Sequence, residues 1–167
     1  MTGLNSFRWI RAGALLLALG AAAGGASAQR GAPSPVEAKS AYCISALGDL
    51  GREAETQASL PAPRARQEAQ REAAVAYEQD TKRLRGFLLP RLKFLDGEAV
   101  LKAADRGKAD VQTYLQAQRT CKSRCDAAPP AASAPGAAGG SCETHCLGAE
   151  PAAGRVFACR PLTWLSN

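Results

Sequence analysis

Six cysteines and one histidine carry the chain's chemistry beyond plain charge: Cys43, Cys121, Cys125, Cys142, Cys146, Cys159 and His145. Four of the sulfurs form two C-x3-C pairs, Cys121/Cys125 and Cys142/Cys146. Three chemistries are open to them. As thiolates, with His145 beside Cys146, they make a soft donor set suited to Cu(I) or zinc, although zinc sites more often use tighter spacing. As a redox centre they would need C-x-x-C at a helix start with a depressed thiol pKa, and neither pair has that spacing. As disulfides they form a covalent staple, which is what an even count in an exported chain favours.

The spacing also constrains the pairing. Residues four apart on a helix share a face, with Cβ atoms about 5–6 Å apart. A disulfide brings them to about 3.5–4.5 Å. Each pair is therefore better placed to meet a second helix than to close on itself. In an antiparallel hairpin the top of one pair meets the bottom of the other. That arrangement points to Cys121–Cys146 and Cys125–Cys142 and leaves Cys43 for Cys159. Six cysteines permit many connectivities, so the metal set Cys121, Cys125, Cys142, His145 and Cys146 stays open as the alternative.

The twin pairs, with 16 residues between Cys125 and Cys142, resemble the twin C-x3-C helical hairpin of the small Tim chaperones of the mitochondrial intermembrane space. The resemblance covers the 26 residues from Cys121 to Cys146 and implies a nested pairing within a helical hairpin. It is a likeness of geometry and implies no shared function, because Cys43, Cys159 and the bacterial-type N-terminal segment depart from that family's pattern.

That N-terminal segment indicates the compartment. Arg8 and Arg11 precede a short run of small and apolar residues, no acid occurs in the first 28 positions, and Ala26-Ser27-Ala28 is an A-x-A site. This is the pattern of a secretory signal peptide, residues 1–28, cleaved after Ala28. Its apolar part is short and glycine-rich for a membrane span of about 20 residues. A periplasmic or secreted location follows as the expectation. Cleavage leaves 139 residues and removes two of 21 basic residues and none of 15 acidic ones, so the net charge falls from +6 to +4. A mild excess of this kind does not point to a nucleic-acid partner. The expected partner is a protein or another envelope component. The oligomeric state is open.

The elements that must position the sulfurs read as helices. Residues 29–35 read as a disordered leader and 36–126 as a helical body. A first helix over 36–60 carries the stripe Cys43, Leu47, Leu50, Ala54 and Ala58, ended by Pro61 and Pro63. A second starts at Arg64 with a thin apolar face of Ala69, Ala73, Ala76, Tyr77 and Leu84. Pro90 should break it, since its ring would clash with the Gly86 carbonyl. Asp96-Gly97 marks a turn. A third helix over 98–126, loosened at Gly107, presents Val111, Tyr114, Gln118, Cys121 and Cys125. Residues 127–140 contain only Ala, Pro, Gly and Ser and read as a flexible linker. A short helix over 141–149 would complete the hairpin, and the remainder of 141–167 reads as an irregular tail docked on the body. The fold class is all-α: a small disulfide-stapled bundle of three main helices, a short fourth and a tail.

One more stretch has functional potential. In KRLRGFLLPRLKFL, residues 82–95, the cations Lys82, Arg83, Arg85, Arg91 and Lys93 surround leucines and phenylalanines, with no acid until Asp96. Such a segment suits an anionic surface or an acidic partner. Alternatively, its apolar residues are the bundle's core. The carboxylate pairs Glu53/Glu55 and Asp105/Asp110 read as solvated helix faces. No nucleotide, hydrolase or metalloprotease fingerprint occurs, so neither an enzyme nor a cofactor is expected. The expectation is a non-catalytic binding or structural module of the cell envelope.

Overall fold

The computed structural model describes residues 30–127 and 142–166. The expected signal segment, residues 1–28, and most of the expected linker lie outside them. The described chain forms five α-helices and two 3-10 segments: α1 (Pro35–Ser59), α2 (Arg64–Leu88), a 3-10 turn (Leu89–Phe94), α3 (Gly97–Asp126), α4 (Cys142–Gly148), α5 (Pro151–Phe157) and a terminal 3-10 turn (Leu162–Ser166). No strand occurs among the described residues; the one β-type contact is an isolated bridge between Gly31 and Leu95.

Local chemistry sets the helix boundaries. Ser34 and Glu37 form a capping box at the start of α1, with Pro35 in its first turn. Asp96 caps α3 by accepting from the Glu98 amide at 3.0 Å. Glu150 caps α5 by accepting from the Ala152 amide, and Pro151 opens the helix. Pro90 ends α2 as the steric argument requires, and the chain continues as a 3-10 turn.

α1 is the shared partner, with α2 and α3 both packing along it. It therefore buries residues on more than one face, most of them small: Ala41, Cys43, Ala46, Leu47, Leu50, Ala54 and Ala58. The larger core cluster joins Cys43, Leu47 and Leu50 to Leu84 of α2, Val111 of α3, Val156 of α5 and Cys159. A smaller one joins Ala41, Leu88 and Leu95 at the far end of α2.

Several expectations are corrected. The leader is not free between Arg30 and Ser34: the Gly31 amide donates to the Phe94 carbonyl at 3.0 Å, and the Asp96 amide donates to the Gly31 carbonyl at 2.8 Å. α3 runs unbroken through Gly107, which is buried against the α1 backbone. Gln118 and Ala69, placed on buried seams from helical spacing, are exposed. The tail is not wholly irregular, since α5 takes in Val156 and Phe157. A helix of 7 residues is too short to show a period; only its Glu150-Pro151 cap marks it in the sequence.

Candidate functional site

The sulfurs come first. The structure bonds Cys43 to Cys159, Cys121 to Cys146 and Cys125 to Cys142, with Cα separations of 5.5, 5.7 and 5.9 Å. Helical spacing points to the last two of these pairs and leaves Cys43 for Cys159. Cys121 and Cys125 sit on the last two turns of α3, and Cys142 and Cys146 sit on α4 as it runs back along them. The bond between Cys43 and Cys159 spans 116 residues and ties α1 to the segment after α5. The thiolate alternative is corrected by this chemistry, because bonded sulfurs offer no thiolate to a metal. His145 is exposed on α4. Among the described residues no three His, Cys, Asp or Glu side chains are grouped to hold a metal ion. A shallow cleft of about 580 Å³ lies beside the Cys121–Cys146 bond, with Gln112, Gln116, Thr120, Arg124 and Glu150 in its walls.

The second cluster is one the sequence reading missed. Asp110, read as a solvated carboxylate, is buried. Its Oδ2 accepts from Arg155 Nε at 2.7 Å and from the Tyr42 hydroxyl at 2.9 Å, and its Oδ1 accepts from Arg155 Nη2 at 2.8 Å. α3, α5 and α1 thus meet at one carboxylate. The Arg155 guanidinium, with help from Tyr42 and Arg106, holds the Asp110 carboxyl below the usual aspartate range despite burial. Burial, and then the Asp110 hydrogen bond, push the Tyr42 hydroxyl well above its ordinary value. Asp80 makes a parallel link: Arg160 Nε lies 2.7 Å from its Oδ2, and the Arg160 guanidinium stacks over Tyr77 at 5.3 Å. The Asp110 cluster fixes three helices by charge-assisted hydrogen bonds, and the Asp80–Arg160 ion pair ties α2 to the segment after α5. Both partners lie far apart in sequence, so no local spacing could have revealed them.

The third feature is the basic, apolar stretch, which the structure divides. Leu84, Leu88 and Leu95 are core, and Phe87 is half-buried. Leu89, Leu92 and Phe94 are exposed, Leu89 at 61% and Phe94 at 64%. Three of the seven large exposed apolar side chains among the described residues thus fall in one six-residue turn, which is more than scattered exposure. Cations accompany them. The Arg91 guanidinium stacks on Phe87 at 4.0 Å and donates to the Phe87 carbonyl, closing the end of α2. Lys93 Nζ lies 4.7 Å from the Phe94 ring centre. Arg85 is exposed one helical turn before Leu89. Lys82 is occupied differently, in an ion pair with Glu78 at 2.8 Å, and Arg83 is exposed nearby on α2.

Among the described residues no helix is long and apolar enough to cross a membrane. Comparison with known proteins returns no matching family model, no matching curated protein and no matching solved structure.

Proposed function

We propose that this chain is an exported, non-catalytic binding module of the cell envelope, periplasmic or secreted, which meets its partner through the turn at Leu89–Phe94. The observation that carries export is the set of three disulfides: all six cysteines are bonded. Cross-links of this kind persist in oxidising compartments and are rare where thiols are kept reduced. The signal-type segment agrees with that setting. Support for binding over catalysis comes from how the buried acids are used. Asp110 is engaged by Arg155 of α5, and Asp80 by Arg160 in the segment after it. At the Leu89–Phe94 turn the exposed side chains are apolar and cationic: Leu89, Leu92 and Phe94 with Arg91 and Lys93.

The test has two parts. Intact mass of the exported protein should fit residues 29–167 less six hydrogens, with no thiol open to alkylation. Cytoplasmic retention with reactive thiols overturns export. A photo-crosslinking residue at Leu92 should then give adducts in intact cells, while one at Val75, exposed elsewhere on α2, should not. Equal or absent labelling at the two positions overturns the corner as the binding surface.

A further inference from the structure

Resting on that reading, we infer that the occupant of the Leu89–Phe94 corner is an anionic lipid surface, into which Leu89, Leu92 and Phe94 dip while Arg85, Arg91 and Lys93 meet phosphate groups.

The shape of the corner argues for a bilayer over a groove-forming partner. Pro90 breaks α2, and the 3-10 turn that follows pushes its side chains outward at the end of the bundle. Leu89 and Phe94 are exposed to the degree of projecting tips, while their neighbours Leu88 and Leu95 anchor the turn from beneath at 4% and 6% exposure. A rigid turn with apolar tips loses little conformational freedom on insertion.

The cations are placed at the level of the rings. Arg91 lies over Phe87 and Lys93 lies beside Phe94. Long basic side chains can keep their charge in water while their stems and the adjoining rings enter an apolar phase. That is the arrangement an interfacial segment uses at anionic headgroups. The local acids offset only part of the charge, since Arg30, Lys82, Arg83, Arg85, Arg91 and Lys93 outnumber Glu37, Glu78, Asp96 and Glu98. Glu37 approaches Arg91 only at 4.0 Å and is already held by its capping box. Asp96 caps α3 and Glu98 is exposed in its first turn. Among the described residues Arg85 and Lys93 have no ion-pair partner.

Chain path adds a second, independent argument. Gly31 is bonded to the backbone of Phe94 and Asp96. Residue 30, an exposed arginine, therefore stands at the corner and adds a further cation to it.

The experiment is sedimentation of the oxidised chain 29–167 with large vesicles of phosphatidylcholine containing about a third phosphatidylglycerol, at about 0.1 M salt. Binding is expected there. It should be lost on pure phosphatidylcholine and at about 0.5 M salt, where the Debye length is roughly halved. Arg85→Glu with Lys93→Glu should weaken partition at least about 25-fold, at about fivefold for each cation removed. Leu89→Ser with Phe94→Ser should abolish it, with helicity and Tm unchanged since both side chains are exposed. No sedimentation of the folded chain with the anionic vesicles overturns the inference. So does binding that survives either double variant, or that ignores lipid charge. Protein adducts from the Leu92 crosslinker without vesicle binding overturn the lipid and keep the binding module. Absence of both overturns both.

Discussion

Arg155 grips Asp110 with two parallel hydrogen bonds, Nε to Oδ2 at 2.7 Å and Nη2 to Oδ1 at 2.8 Å, and so clamps α5 to α3. Planar guanidinium and carboxylate groups match in this two-point geometry, which lysine could not reproduce. Tyr42 brings α1 to the same carboxylate. The Cys43–Cys159 bond ties α1 to the segment just after α5, so a covalent tie and the Asp110 clamp both hold α1 to this end of the chain.

The clamp has a pH signature. The Asp110 carboxyl is held below its ordinary value of 3.8, first by Arg155. As pH falls, the unfolded chain takes up the proton before the folded one. The contribution is therefore complete above that ordinary value and is lost as pH drops beneath it, through the lowered native value. Wild-type Tm should fall between about pH 5 and about pH 3 more steeply than that of Asp110→Asn. At neutral pH the variant should be less stable by about 1–2 kcal/mol, because the Tyr42 hydroxyl and the arginine lose a charged acceptor. Equal slopes for the two proteins would contradict the role given to Asp110.

The two helical glycines Gly107 and Gly86 should respond oppositely to alanine. A Cβ at Gly107 would overlap the Tyr42 carbonyl oxygen, so α1 and α3 would have to separate. Gly107→Ala should cost about 1–3 kcal/mol by overpacking. Gly86 in α2 has open space around its missing Cβ. Gly86→Ala should stabilise by about 0.5–1 kcal/mol through helix propensity. Urea unfolding of both variants checks the contrast.

The disulfides should differ in weight. Closing the 116-residue span between Cys43 and Cys159 contributes about 5 kcal/mol in the chain-entropy model, and the 17-residue span between Cys125 and Cys142 about 3 kcal/mol. Within the nested pair, the second bond contributes less because the first already closes most of its loop. Cys43→Ser with Cys159→Ser should therefore lower Tm more than Cys125→Ser with Cys142→Ser. A calorimetric scan of both oxidised variants decides it.

The stretch 82–95 should split by substitution. Leu84 is fully buried in the main core, and Leu84→Ala should cost about 2–5 kcal/mol. Leu88→Asp should unfold the chain, because it places an unpaired charge in the second cluster. Leu92→Ser, on the exposed turn, should change stability by no more than about 0.5 kcal/mol. Circular-dichroism melts of the three variants suffice. Unfolding by Leu92→Ser would mean that the corner is core.

The sequence by itself determined the features that depend on near neighbours. Pro61, Pro63 and Pro90 end helices because proline's ring and missing amide act within a single turn. Cys121, Cys125, Cys142 and Cys146 already define a ladder, because four-residue spacing places each pair on one helix face. The all-α class and the buried stripe of α1 follow from the same periodicity. Tertiary structure alone decided the rest. Helical period could not sort residues 82–95 into core and surface, because it ends at Pro90, and the turn beyond it exposes Leu89 and buries Leu95. Asp110 looked like any solvated acid until α5 brought Arg155 across 45 residues of chain and α1 brought Tyr42 across 68. Gly107 looked like a weak point in α3, yet it is a place where α3 packs directly on the α1 backbone. Each depends on which helices meet and at what register, and packing of the whole chain sets both.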